Sequence, residues 1–487
     1  MNFLKRNKFI FILLLIVFIL RLPSLFEPYW YGDEGIYLTI GMAIKKGYLL
    51  YRDIYDNKPP LLYLLTALAN GRQFWFRFFL SASLLASVYF FYQFCLLLFE
   101  NQTKKAKIAT LFFSFLTTIR AFEGNIANSE LFILLPTILG FSLSLREKRG
   151  NFPSSFLIGA LLSLGFLYKV PAVLDFLTLL VFLVFFSEKK FFQFNKKQLC
   201  LCLGYAAPIL LIGLFFFFKN SFSDFFTATI LHTFGYLTSW KTGSHQFSPV
   251  TLLKSEFVLK ALLVLVIGFL LWIKKTRLPK FLIFSFLWFI FSLFGATLSG
   301  RPYPHYLVQI IPPTCLLLVL FADLKLKKYF YLPIAAVTLL ITSFVYYQFW
   351  NYPTLPYYQN FLQFSLGKKD KTAYFSYFNP NLSNIYRVSE FIAANSKPAD
   401  KIFVWADEPV IYALSHRLPA TPYLVAYHIN DLKVSDSVTK KILLNLPALI
   451  IINKDTKKYP ELDSIVQKKY FNIGSFDNML VWKKRSS

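Results

Sequence analysis

The side chains best suited to chemistry in this chain are few, and most of them stand beside an apolar run. Asp33 and Glu34 are adjacent in Tyr29-Trp30-Tyr31-Gly32-Asp33-Glu34-Gly35, just after the first apolar stretch. A carboxylate at that place has two readings. One is helix initiation, with Asp33 as N-cap and Glu34 in the first turn, where the helix dipole favours negative charge. The other is a base in an interfacial cleft, accepting the proton of a bound hydroxyl or amine. Capping would lower its pKa and weaken the base; partial burial would oppose that. Lys58 precedes Pro59-Pro60, which stiffen the turn and fix where the lysine points. It is either an anchor lying on apolar surface or a cation facing a phosphate. Glu130 follows Asn128-Ser129, and Lys169 lies in Tyr168-Lys169-Val170-Pro171. Arg301, His305 and Tyr306 stand together in Gly300-Arg301-Pro302-Tyr303-Pro304-His305-Tyr306. Arginine can hold a phosphate through two parallel hydrogen bonds, and His305 can donate to a phosphate.

The elements that must position these groups follow from composition. Of 487 residues, 56% are hydrophobic, 20% aromatic and only 16% charged, with mean hydropathy +0.50. That leaves too little polar surface to cover several soluble cores, so a disordered or an ordinary soluble protein is excluded and a polytopic membrane protein is expected. Eleven apolar runs are candidate spans: 9–25, 75–99, 106–122, 130–145, 154–170, 172–187, 198–218, 256–273, 280–298, 306–322 and 329–350. The first has the basic start of a signal peptide. No small-x-small cleavage site follows, so it is read as a retained anchor.

The net charge of +27 would suggest a nucleic-acid partner in a soluble protein. Here its location speaks for topology instead, and no nucleic acid is expected. Counting alternate connections assigns twenty basic residues to one side: Lys5, Arg6, Lys8; Lys104, Lys105, Lys107; Arg146, Lys148, Arg149; Lys189, Lys190, Lys196, Lys197; Lys274, Lys275, Arg277, Lys280; and Lys325, Lys327, Lys328. By the positive-inside rule that side is the cytoplasm. The N-terminus is then cytoplasmic, in a multi-pass protein of the cytoplasmic (inner) membrane. Three longer segments, 26–74, 219–255 and 351–487, fall on the other side.

Residues 1–350 therefore read as a transmembrane module and 351–487 as a small extracytoplasmic α/β domain. The tail carries 18 Lys+Arg and 11 Asp+Glu. It alternates strand-like runs (Lys401–Trp405, Ala448–Ile452, Met479–Trp482) with helix-like ones (Ile385–Asn395, Glu408–His416). Segment 34–46 predicts an amphipathic helix along the membrane surface, with Ile36, Ile40, Ala43 and Ile44 on one face. Tyr29, Trp30 and Tyr31 suit the membrane interface. Cys95, Cys200, Cys202 and Cys315 lie in apolar runs and read as small buried hydrophobes, neither disulfides nor metal ligands.

The Asp-Glu pair after the first span, followed by Lys58-Pro59-Pro60-Leu61-Leu62-Tyr63, resembles the membrane glycosyltransferases of the GT-C superfamily. The likeness is to the aminoarabinose transferase and protein O-mannosyltransferase branch, best over spans 1–5 and weaker to span 10. It implies a mainly α, GT-C-like fold and an inverting transfer of a sugar from a polyprenyl-phosphate donor to a lipid, glycan or protein acceptor outside the cytoplasm. It also implies a second acidic position, matched here by Glu130, and a Lys-x-Pro lysine on the donor phosphate, matched by Lys169, with Val170 where the family often has glycine. A His-Tyr pair opening a late span matches His305-Tyr306.

Together these residues predict Asp33 as base, Glu34 orienting the acceptor or that base, and Glu130 as a further acid. Lys58, Lys169, Arg301, His305 and Tyr306 are expected around the donor phosphate. First-turn stabilisation for Glu130, snorkelling for Lys58 and Lys169, and a structural role for His305 are the plain alternatives. Arg77 could equally snorkel or pair with an acid of the first loop. Arg120, Asn125 and Asn128 fall at the same level. No nucleotide-binding glycine loop or Asp-x-Asp motif is present, so neither a cofactor nor a metal is expected, and His232 and His245 are not assigned to one. Two other classes compete. A transporter or flippase of a lipid-linked saccharide would place ionisable groups at mid-membrane, as Asp175 in span 6 does. A non-catalytic membrane protein with a binding tail would tolerate loss of Asp33.

Overall fold

A computed structural model describes residues 2–147, 152–187, 195–242 and 248–485. Lys148, Arg149, Lys189, Lys190 and His245 lie outside the described residues. Every one of the eleven apolar runs is helical over most of its length. Seven of the helices have the length and hydropathy to cross a bilayer: Asn7–Leu25, Gln73–Leu98, Ser129–Arg146, Lys196–Phe218, Glu256–Ile273, Lys280–Thr297 and Pro304–Ala322. Phe152–Tyr168, Val170–Phe185 and Tyr331–Tyr347 are shorter apolar helices, and Thr103–Leu116 is shorter again. The chain is thus a multi-pass membrane protein. Its unusual outer surface agrees: Leu262, Leu265, Val266 and Phe269 of the Glu256–Ile273 helix are all exposed, a face that water would not tolerate and lipid would cover.

The C-terminal part folds around a five-stranded sheet. Its strands are β1 (Lys401–Trp405), β2 (Leu418–Pro419), β3 (Leu449–Asn453), β4 (Tyr470–Phe476) and β5 (Met479–Lys484), in the order β2-β1-β3-β5-β4. β2 and β3 run parallel to β1, and β5 antiparallel to β3 and β4. β1 is buried on both faces because alternate side chains enter different cores. Ile402 and Val404 join the core that continues into the helical bundle. Phe403 and Trp405 join a separate core with Val438, Ile442, Leu462 and Val466. Three strands and two helices were legible as local patterns; β2, β4 and the Ser435–Leu444 and Pro460–Lys469 helices were not.

The helix expected along the membrane surface forms over Gly32–Lys45, but Glu34 through Ala43 are all buried. It is enclosed by the Leu61–Leu68 helix on one side and by Val410–Ser415 of the C-terminal part on the other. Two glycines permit this close approach. A Cβ on Gly35 would stand 2.6 Å from the Val410 side chain, and one on Gly41 would strike the Thr66 backbone. The amphipathic pattern is therefore overridden: the helix is clamped on both faces, which fixes the direction of Asp33 in its first turn.

Candidate active site

Asp33 does not cap its helix. The N-cap is Tyr31, which makes no capping bond, and Asp33 is the second residue of the helix, inside its first turn. Its carboxylate accepts from the Tyr37 hydroxyl (2.9 Å) and from Lys58 Nζ (3.4 Å). The 37% of its side-chain surface that is open faces a cavity. Burial by itself would raise the Asp33 pKa; Lys58, His305 and the Tyr37 hydrogen bond outweigh it and hold the carboxyl below its ordinary value. Burial likewise disfavours the Lys58 ammonium, but Asp33 and Asp56 more than compensate, and its pKa is raised. Pro59 and Pro60 lead directly into the Leu61–Leu68 helix, so the lysine is presented from a stiff turn.

The cavity measures about 500 Å³. Asp33, Lys58, Glu130, Lys169, Arg301, His305 and Tyr306 all line it. Seven groups spread over 274 positions of sequence, from Asp33 to Tyr306, thus share one wall. Glu130 opens the Ser129–Arg146 helix and is ion-paired to Lys169. Lys169 is held in an extended conformation between two helices, and its ammonium lies 4.1 Å from the centre of the Tyr306 ring. The Arg301 guanidinium stacks on Tyr236 at 3.9 Å, and the Tyr236 and Tyr306 hydroxyls are 2.9 Å apart. Aromatic rings here orient the cations by cation–π attraction.

Glu34 is not part of this wall. Arg77 donates to it through Nε (3.0 Å) and Nη2 (2.5 Å), and the Ala127 N–H donates at 2.6 Å. Arg77 also pairs with Glu27 at 2.8 Å, and all three side chains are fully or almost fully buried. Asn125, Trp30 and Tyr357 donate to Glu27 as well. This cluster knits the end of the first helix, the Asp33 helix, the Gln73–Leu98 helix and residue 357 together. Glu34, expected to orient the acceptor or the base, is thus placed outside the cavity lining with its carboxylate held by Arg77. The Arg120 guanidinium lies within 5.5 Å of the ring centres of Trp30, Tyr352, Tyr357, Tyr377 and Phe378, so Trp30 packs inside the protein rather than serving only as an interface anchor. Asp175 accepts from Trp288 (2.8 Å), Gln309 (2.9 Å) and Thr137 (3.3 Å) and is 1% exposed; its environment is that of a satisfied structural carboxylate.

Several cavity residues escaped the sequence reading. Asp56 accepts from Tyr63 at 2.7 Å and lies 4.0 Å from Lys58; its position two residues before Lys58 was a usable signal. His232 Nδ1 meets the Tyr55 hydroxyl at 2.6 Å. Tyr427, His428 and Asp431 reach the same cavity from the C-terminal part, with His428 Nε2 3.9 Å from Asp56. Tyr55 N–H donates to Pro422 O, which secures that approach. Nothing local marked these three residues, because only the docking of the sheet against the first loop brings them there. Among the described residues no group of three His, Cys, Asp or Glu side chains is arranged to hold a metal ion.

Fold and cavity together define a class: a multi-pass membrane protein with a polar chamber beneath a C-terminal α/β layer. The likeness is to the aminoarabinose transferase ArnT from Cupriavidus metallidurans. Its apo structure matches with TM-score 0.57 and 15% identity over 98% of each chain. Its structure bound to undecaprenyl phosphate matches with TM-score 0.56 and 13% identity over 99% of each chain. The oligosaccharyltransferase AglB from Archaeoglobus fulgidus is more distant, with TM-score 0.47 and 12% identity over 99% of this chain and 75% of its own. No protein-family model and no curated protein matches the sequence. At these identities the likeness establishes the fold.

Proposed function

We propose that this chain is an inverting glycosyltransferase. It moves a sugar from a polyprenyl-phosphate donor to a lipid, glycan or protein acceptor on the outer side of the cytoplasmic membrane. The single observation that carries this reading is the convergence of Asp33 with Lys58, Lys169 and Arg301 on one cavity. An ArnT structure of the same fold holds undecaprenyl phosphate, which makes a polyprenyl phosphate the natural donor carrier here. The outer sidedness rests on the distribution of basic connections.

The chemistry follows from the charges. The acceptor hydroxyl or amine attacks C1 of the sugar as its proton passes to the Asp33 carboxylate. The C1–O bond to phosphate breaks, and the phosphate leaves with the electron pair. Attack opposite the leaving group inverts C1. Lys169 and Arg301, aided by Lys58 and His305, hold the negative charge that grows on the phosphate; such preorganised stabilisation is commonly worth several kcal/mol. Glu130 keeps Lys169 charged and directed until the phosphate arrives. Residues 1–350 supply this machinery, and residues 351–487 close the chamber with Tyr427, His428 and Asp431 and so contribute to the choice of acceptor.

Mass spectrometry of membrane glycolipids and surface glycans from cells with and without the protein tests the reading. One sugar-bearing species should vanish in its absence and return with the wild-type chain but not with Asp33→Asn. Identical profiles in all three would reject the glycosyltransferase and leave a binding or transport protein.

A further inference from the structure

Glu123 does not line the cavity, yet it is 1% exposed and touches the ring of a residue that does. It follows the short turn Arg120–Phe122 in a left-handed conformation, φ 55°. A glutamate held there is strained, and its side-chain bonds help to hold it. Its Oε2 accepts from Asn128 Nδ2 (3.2 Å) and the Tyr31 hydroxyl (3.3 Å), and it contacts His305 Nδ1. An oxygen surrounded by donors requires the hydrogen on Nδ1. Tyr303 stacks on the imidazole at 5.6 Å with planes 9° apart, which fixes the ring. Nε2 is then turned toward Glu130 Oε1, 3.7 Å away, beside Lys169.

We propose that Glu123 is the positioning residue for His305, holding its Nδ1–H so that Nε2 faces the cavity as a donor to an anionic phosphate oxygen. The logic is that of any carboxylate that orients a histidine from behind. The proposal rests on the glycosyltransferase reading for the identity of the anion, and on geometry alone for the pairing.

The test uses the full chain in nanodiscs and undecaprenyl phosphate as the probe. Glu123→Gln and His305→Gln should each weaken binding about tenfold, the scale of one charge-assisted hydrogen bond. The double variant should be no weaker than His305→Gln alone, because the first residue acts through the second. Losses that multiply in the double variant, or wild-type affinity in Glu123→Gln, would overturn the proposal. Histidine ¹⁵N shifts of the wild-type protein need no variant to fold: His305 should carry hydrogen on Nδ1 throughout and on Nε2 as well when undecaprenyl phosphate is bound; a bare Nδ1 would overturn the pairing, and a bare Nε2 in the complex would overturn the donor role. If wild type fails to bind undecaprenyl phosphate at all, the glycosyltransferase reading falls while the ¹⁵N result still judges the pairing.

Discussion

Lys58 Nζ stands 3.4 Å from Asp33 Oδ2, although one residue belongs to a proline-stiffened turn and the other to the first turn of a separate helix. The pair keeps Asp33 ionised at neutral pH at the expense of its basicity. A phosphate that draws Lys58 toward itself removes the partner that holds the Asp33 pKa down, so donor binding would strengthen the base when it is needed.

Asp33→Asn keeps the shape of the side chain and removes its proton affinity. Sugar transfer by the purified protein should fall by at least about 10²-fold, with expression and membrane insertion unchanged. Turnover at the wild-type rate would exclude Asp33 as the base.

Lys169→Ala deletes a cation expected at the phosphate and leaves Glu130 with a weaker set of partners. Donor affinity should fall by about tenfold or more, with a smaller change in acceptor affinity. Separate titrations of undecaprenyl phosphate and acceptor decide this; equal losses would argue that Lys169 serves the architecture and not the phosphate.

Arg77→Met should be the most destabilising change in the first half of the chain. It strands Glu27 and Glu34 without their counter-charge, and breaking a buried pair commonly costs about 3–5 kcal/mol. Thermal unfolding in detergent measures it. Arg77→Met with Glu34→Gln should recover part of the loss, because one of the two stranded charges is gone.

Glu408 gives a pH signature to the C-terminal part. Burial, reinforced by Asp407, pushes its carboxyl up to about 7. The folded form therefore binds a proton that the unfolded chain has released between its ordinary value and that pH. Stability should fall as pH rises through the window from about 4.5 to about 7, by up to ~2–3 kcal/mol. Melting temperatures of wild type should rise on acidification from pH 8 to pH 5.5, and Glu408→Gln should flatten that part of the curve.

How much of this was readable in advance depended on the range of the forces involved. The eleven apolar runs are helical where composition placed them, because a backbone that meets lipid must satisfy its hydrogen bonds within each segment. Asp33, Lys58, Glu130, Lys169, Arg301, His305 and Tyr306 stood out for a related reason: ionisable groups at the edges of apolar runs are costly and therefore conspicuous. Glu34 was read beside Asp33 as the group that orients the acceptor or the base, and only the tertiary structure shows its carboxylate held by Arg77. Glu123, Tyr427, His428 and Asp431 had no such local mark. Their places depend on a left-handed turn, on glycines that let Val410 and Thr66 approach the Gly32–Lys45 helix, and on the docking of a sheet more than 300 residues from the first loop. Hydropathy and charge act along the chain and reveal the spans and the candidate acids and cations; contact between distant segments is decided by packing, which no short stretch of residues encodes.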